Sequence, residues 1–267
     1  MIEATPSWRD GLVLLYCPLE ENMSVEALQK IIDESAAIAF FGGAGVSTES
    51  GIPDFRSQDG LYSQKWRYPP EEILSHSFFM GNTGEFYRFY REKMICLEAK
   101  PNAAHLKLAE LEAAGKLTGV VTQNIDGLHQ AAGSRKVFEL HGSVMRNNCM
   151  DCGAFYDVHF ILDSGGAGAD AIPRCTKCGG VVKPDVVLYE EGLDNGVIDG
   201  AVQAIAAADT LIIGGTSLNV YPAASLIHYF RGERIVLINK SPTSADAMAS
   251  LVISQGIGQV LGQIQVP

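Results

Sequence analysis

Ile38-Ala39-Phe40-Phe41-Gly42-Gly43-Ala44-Gly45-Val46-Ser47 passes from a short apolar run straight into a glycine turn. A run this short, bounded by glycine, reads as a strand buried on both faces. The turn after it would let backbone amides approach an anion at a helix N-terminus. Upstream, Ser24 is placed to cap a helix in which Val25, Leu28, Ile31 and Ile32 share one face. Similar apolar runs recur at 117–121, 137–140, 186–189, 211–213 and 235–238, with helical segments between several of them. This alternation predicts an α/β fold, a doubly wound parallel sheet.

Polar or glycine clusters follow the runs. After Val121 come Gln123, Asn124, Ile125 and Asp126; after Leu140, His141-Gly142-Ser143; after Ile213, Gly214-Gly215-Thr216-Ser217; after Ile238, Asn239. Ligands of open α/β sheets bind outside the carboxyl ends of the strands, so one crevice would collect all of these. Two segments interrupt the pattern as insertions. Residues 66–116 are helical, with an aromatic face of Phe86, Phe89 and Tyr90 and a second helix capped by Asn102 and ended by Gly115. The other runs from Val144 to Lys183 and contains a glycine-rich stretch, Ser164 to Gly168, that reads as a flexible loop tip.

That second insertion holds Cys149-Met-Asp-Cys152 and, 22 residues on, Cys175-Thr-Lys-Cys178. Each short turn can aim two sulfurs at one tetrahedral ion, the spacing of a four-thiolate zinc site. A redox dithiol is the alternative; the doubling of the pair, with Gly153 and Gly179 following, favours zinc. Four thiolates close the coordination shell, so the metal builds structure and the chemistry lies elsewhere.

The chain has 267 residues, 47% of them hydrophobic, and a formal net charge of −11. Such a length buries a real core. The acidic balance argues against nucleic acid, whose binding needs clustered Lys and Arg. Residues 11–17 are apolar but too short to span a membrane, and they lack the flanks of a secretion signal. Cys17 and Cys96, the two of the six cysteines outside the paired motifs, suggest no disulfide framework, so a reducing, cytoplasmic setting is expected.

Read singly, the candidate residues keep blander alternatives. His141 at a strand end suits a general base, yet a lone histidine is commonly structural. Asn124 and Asp126 are ordinary turn residues. The glycine turn departs from the dinucleotide fingerprint at Thr48, where Gly or Ala is usual, so dinucleotide binding and a plain structural turn both stay open. Gly51-Ile52-Pro53-Asp54-Phe55-Arg56 offers a ring to shield a leaving group and a guanidinium for phosphate, or else a surface turn anchored by its Phe.

Together, Gly43 to Ser47, Gly51 to Arg56, Thr122 to His129, His141-Gly142-Ser143, both cysteine pairs, Gly215-Thr216-Ser217 and Asn239 resemble the sirtuin family, bacterial type, in family order from about Met23 onward. The resemblance implies an NAD-dependent protein-lysine deacetylase acting on acetylated proteins or peptides. Its parts would be a Rossmann-like domain over 23–65, 117–143 and 184–267, a helical module over 66–116 and a zinc-ribbon module over 144–183. Residues 1–22 then form an N-terminal extension, with Met23 a natural start. In that family the acyl oxygen attacks C1′ of the nicotinamide ribose and nicotinamide leaves. A histidine matching His141 then deprotonates a ribose hydroxyl, and the acyl group ends on ADP-ribose. Mono-ADP-ribosyl transfer and a catalytically weak NAD sensor or zinc adaptor are the alternatives.

Carried over by position, Ala44, Thr48, Arg56, Gln123, Thr216, Ser217, Asn239 and Ile257 contact the cofactor. Phe55, Ile125 and Asp126 form the nicotinamide pocket, Asn124 orients the ribose or a water, and Val187 pairs with the peptide. This chain departs from the pattern twice near the substrate. Where the family has Phe-Gly-Glu it reads Tyr189-Glu190-Glu191. In place of the Tyr-x-x-Arg of members that prefer acidic acyl chains it has Tyr87-Arg88-Phe89-Tyr90, with Arg91 one residue late. A helix turns about 100° per residue, so Arg91 should face elsewhere and acetyl should be preferred to succinyl.

Overall fold

Burial on both faces explains why the apolar runs show no alternation: every residue of β1 (Ile38–Gly42) and of a later strand, Thr210–Gly214, is buried. The computed structural model describes residues 18–55, 57, 60–63, 66–164 and 171–266. Arg56, Cys17 and most of the glycine-rich stretch after Ser164 lie outside them. The other strands are β2 (Leu117–Thr122), β3 (Val137–Glu139), β4 (Gly142–Cys149), β5 (Phe155–Asp157), β6 (Val182–Val186), β7 (Thr210–Gly214), β8 (Arg234–Ile238) and β9 (Leu251–Ile253). Among the described residues they form a six-stranded sheet, ordered β3-β2-β1-β7-β8-β9 and parallel throughout, and a three-stranded antiparallel sheet, β5-β4-β6.

Helices cover both faces of the parallel sheet. On one side α1 (Pro18–Glu34), α5 (Ala103–Ala113) and α9 (Ile257–Leu261) bring Leu28, Ile32, Leu108, Leu111 and Val260 against Phe40, Val120, Ile212 and Val236. On the other, α8 (Asn195–Ala206) lays Ala201 and Ile205 on Phe41, Val121, Ile213 and Leu237. The fold is thus the expected doubly wound, Rossmann-like sheet. Strand order reverses between β1 and β7, whose last residues Gly42 and Gly214 sit in register. This is the topological switch point, where such sheets bind ligands.

Short α6 (Leu128–Ala131) packs beside α5, whereas three further helices, α2 (Pro70–Ile73), α3 (His76–Gly81) and α4 (Thr83–Phe89), do not join either face. Their Ile73, Phe78, Phe79, Phe86 and Tyr87 form one core with Cys149 and Val182 of the antiparallel sheet, Ile161 of its helix α7 (Val158–Asp163) and Cys175 of the second cysteine turn. Helical and cysteine-bearing segments thus share a single hydrophobic cluster beside the sheet. Asn102 caps α5 through its side chain, which accepts from Ala104 N at 2.9 Å, as expected, but α5 itself packs on the parallel sheet rather than with α2–α4.

Three local expectations differ from the structure. The first helix already covers Pro18–Glu34, so Ser24 lies inside it rather than at an N-cap. The apolar spacing of 25–32 marks the buried face of the helix, not its start, and proline is tolerated in a first turn. The run 186–189 supplies no parallel strand: Val186 ends β6, which pairs antiparallel with β4 (Gly142↔Val186). It follows the cysteine turns without a helical crossover, and a parallel partner needs one. Finally β9, only three residues long at the sheet edge, carried too little apolar pattern to be read.

Candidate active site

Two glycine turns meet backbone to backbone beyond β1 and β7. Gly43 N donates to Gly214 O at 3.3 Å and Gly45 N to Gly215 O at 2.8 Å. Gly215 has φ +58, and a Cβ there would lie 2.4 Å from Val46 N, so only glycine allows this approach. Above the turns opens a cleft of about 1120 Å³. Ala44 and Thr48 line it from the first turn, Thr216 and Ser217 from the second, Asn239 from the end of β8 and Ile257 from the start of α9. Phe55, Gln123, Asn124, Ile125, Asp126, His141 and Val187 line it too, so every described residue expected to serve cofactor, catalysis or peptide faces one cavity, while the four cysteines cluster apart from it.

Hydrogen bonds fix the polar members. Asn124 is buried, and its Nδ2 donates to Ser47 Oγ at 3.0 Å while its backbone N donates to Thr122 Oγ1 at 3.0 Å. Ser47 Oγ in turn donates to Asp126 Oδ2 at 2.6 Å, and Asp126 Oδ1 accepts from Leu128 N at 2.9 Å. A single file, Asn124 to Ser47 to Asp126, therefore orients an amide and a carboxylate at the cleft wall. Gln123 Nε2 donates to Thr216 Oγ1 at 3.0 Å, tying the end of β2 to the end of β7. Asn239 Nδ2 donates to Ser241 O at 2.6 Å, and Thr48 Oγ1 to Gly45 O at 3.0 Å. The sequence reading missed Ser47 as a site residue; its one signal was a hydroxyl closing the glycine turn.

His141 has its Nδ1 3.0 Å from the carbonyl oxygen of Gln123. A carbonyl only accepts, so Nδ1 carries the proton and Nε2 keeps its lone pair. Burial pushes the ring's pKa below the usual histidine value, outweighing the opposite pull of that hydrogen bond. The His141 ring is thus neutral near pH 7. Its frame is rigid: Gly142 has φ +75, and a Cβ there would meet Asp185 O at 1.9 Å. Arg146 clamps the same corner, Nη1 donating to Glu139 Oε2 and Nε to Asp185 Oδ2, both at 2.7 Å.

Val187 N donates to His141 O at 3.0 Å, so the candidate peptide segment is tied directly to the backbone of His141. Glu190, standing where glycine was expected, adopts φ +75, and its carboxylate accepts from Ser77 N at 2.9 Å and Ser77 Oγ at 3.0 Å. Glu191 accepts from Lys183 Nζ at 3.1 Å and meets His76 Nδ1 at 2.8 Å. These contacts bind the segment to α3. Arg91 turns from the cleft as expected, though it lies in a π-helical turn, Tyr90–Met94, rather than in regular α-helix: Nε donates to Ile161 O at 2.8 Å and Nη2 to Ala171 O at 2.7 Å.

The four cysteine sulfurs lie within 4.8 Å of one another, with Cys149 to Cys178 at 3.4 Å and Cys152 to Cys175 at 3.6 Å. Thiolates about 2.3 Å from a tetrahedral ion stand about 3.8 Å apart, so the set fits one structural zinc ion. Tyr156 Oη at 3.1 Å and Lys177 N at 3.3 Å both donate to Cys175 Sγ, which suits a ligand carried as thiolate.

The model of the Sir2 family matches residues 43–222, two thirds of the chain. The chain belongs to the Sir2 family. Among its sirtuin relatives, an NAD-dependent protein deacetylase of Clostridium acetobutylicum is 61% identical over 239 residues, 89% of this chain and 96% of that one. The NAD-dependent protein deacetylase of Clostridium perfringens is 62% identical over 243 residues, 90% and 98% of the two chains. Among solved structures, a Sir2 variant with deacetylated p53 peptide and 3′-O-acetyl ADP-ribose superposes with a TM-score of 0.82 at 36% identity, covering 90% of this sirtuin and 96% of that chain. A Sir2 complex with p53 peptide and NAD+ gives 0.78 at 36% identity, covering 89% and 95%.

Proposed function

We propose that this sirtuin is an NAD-dependent protein-lysine deacetylase, moving acetyl from lysines of proteins or peptides to ADP-ribose with release of nicotinamide. The observation that carries the reading is a neutral His141, Nδ1 protonated and Nε2 bare, in the same cleft as the paired glycine turns. NAD supplies an electrophilic ribose carbon whose leaving group is nicotinamide. The residues need chiefly to position and to recognise, since expelling nicotinamide builds positive charge without calling for a strong acid.

In this reading Gly43, Gly45 and Gly215 leave room for the pyrophosphate, where a Cβ at any of them would meet neighbouring atoms within 3 Å. Ala44, Thr48, Gln123, Thr216, Ser217, Asn239 and Ile257 hold phosphates, riboses and adenine, joined by Arg56. Phe55, Ile125 and Asp126 enclose the nicotinamide carboxamide, and the Ser47 bond keeps the Asp126 carboxylate aimed. Asn124 orients the ribose or a water. His141 Nε2 takes the ribose hydroxyl proton. The acetyl-lysine backbone pairs alongside Val187. Cys149, Cys152, Cys175 and Cys178 hold the zinc, which has no open position for chemistry. Free thiol ligands suit a reducing, cytoplasmic setting.

Mass spectrometry of an acetyl-lysine peptide incubated with the protein tests this directly. Deacetylated peptide with matching nicotinamide and O-acetyl-ADP-ribose, formed only when NAD is present, is the expected result. A peptide gaining ADP-ribose would instead establish mono-ADP-ribosyl transfer, and an unchanged peptide would refute deacetylation.

A further inference from the structure

Tyr62 Oη and Tyr189 Oη stand 2.6 Å apart, a hydrogen bond between two cleft-lining segments 127 residues apart in sequence. Each phenol is firmly mounted. Tyr62 N donates to Phe55 O at 2.9 Å and Leu61 N to Asp54 O at 2.8 Å, and the Tyr62 ring meets Phe55 edge-on with centroids 5.7 Å apart. Tyr189 N donates to Leu74 O at 2.9 Å, and two residues earlier Val187 N donates to His141 O. One phenol therefore moves with Phe55 of the candidate nicotinamide pocket, and the other with the candidate peptide segment and the base.

We infer that the Tyr62–Tyr189 hydroxyl pair is a strap that couples cofactor binding to peptide binding, making both tyrosines positioning residues. This rests on the deacetylase reading for the identity of the two ligands. A peptide seated beside Val187 immobilises Tyr189 and, through the strap, the loop carrying Phe55. The cofactor then meets a loop already ordered and loses less entropy in binding. By linkage the cofactor strengthens peptide binding by the same factor. Where the family's pattern has Phe at the position of Tyr189, no hydroxyl could make this bond.

The experiment is titration calorimetry of an unreactive NAD analogue, a carbocycle replacing its nicotinamide ribose, with and without saturating acetyl-lysine peptide. Wild type is compared with Tyr189→Phe, Tyr62→Phe and the double variant. In wild type the peptide tightens the analogue. Each single variant loses about 5-fold of that tightening, the double variant loses no more, and binding of either ligand alone stays within about 2-fold of wild type. Both changes keep the rings and remove only exposed hydroxyls, and thermal unfolding confirms intact folds. An unchanged ratio in folded Tyr189→Phe overturns the inference, as do losses that multiply in the double variant or a wild type without coupling. A wild type that binds no analogue refutes the deacetylase reading itself and removes the inference with it.

Discussion

Nδ1 of His141 is committed to the Gln123 carbonyl, so the ring has one lone pair, on Nε2, to offer the proposed chemistry. Burial holds the ring's pKa below about 6.5, the free histidine value. The base form therefore survives acidification, and the acid limb of kcat/KM should fall below pH 6.5; a limb centred above that value would contradict the burial argument. His141→Ala should lower deacetylation by about 10²-fold or more while NAD binding persists, since general-base catalysis supplies about that much. Turnover near wild type would displace His141 from the role. At this scale the sequence was legible for the clustering of the cysteines, whose residue type carries its own chemistry, and for the place of His141 in the cleft. It was not legible for Ser47 or Arg146. The partner of Ser47 is Asp126, 79 residues away, and Arg146 acts through Glu139 and Asp185, so folding alone assigns their tasks.

Elements show how the cysteine module and the α2–α4 layer depend on each other. Cys149 and Cys175 sit in the same cluster as Phe78, Phe86 and Tyr87. Structural zinc contributes binding free energy of order 10 kcal/mol to folding. Chelation or Cys149→Ala should thus raise hydrogen exchange in α3 and α4 as well as in β4–β6, with β1, β2, β7 and β8 still protected. Exchange confined to the cysteine turns would show that the layers are independent. The segment around α4 also bears on acyl choice. Arg88 of α4 pairs with Glu85, and Arg91, in the π-helical turn after α4, is bound to the Ile161 and Ala171 carbonyls, so neither guanidinium lines the cleft to meet a succinyl carboxylate. A lost charge-assisted bond is worth about 10-fold or more, so acetyl peptide should be turned over faster by about that factor. Succinyl peptide processed at equal speed would refute this. The parallel strands were legible because an apolar run closed by glycine or a polar cluster is too short for a helix and too apolar for a loop. Periodicity cannot tell a parallel from an antiparallel partner, which is why 186–189 was misplaced.

For the whole molecule, His105 and His129 pack ring against ring, centroids 4.7 Å apart, beneath the site and beside Phe40. Burial, with His105 adding to it, pushes the pKa of His129 down to about 3. An unfolded histidine titrates near about 6.5, so between these values the unfolded chain binds the extra proton. The stability contribution is full above about pH 6.5 and falls steadily as pH drops toward 3. Urea unfolding from pH 7.5 to 4 should show this slope, and His129→Leu should flatten it; an unchanged slope would rule out His129 as its source. The chain's alternation of strands and helices announced the sheet, yet not the burial of two histidines under it, because each looked like an ordinary polar residue at a helix.

The small layer is assembled from two separate stretches, 66–95 and 142–189, each returned to the large sheet at both ends. No single backbone cut can therefore detach it, and neither stretch excised alone carries the whole of the core it needs. Exchange of this layer between relatives by recombination would have to move both stretches together, so the two should be inherited as a matched pair.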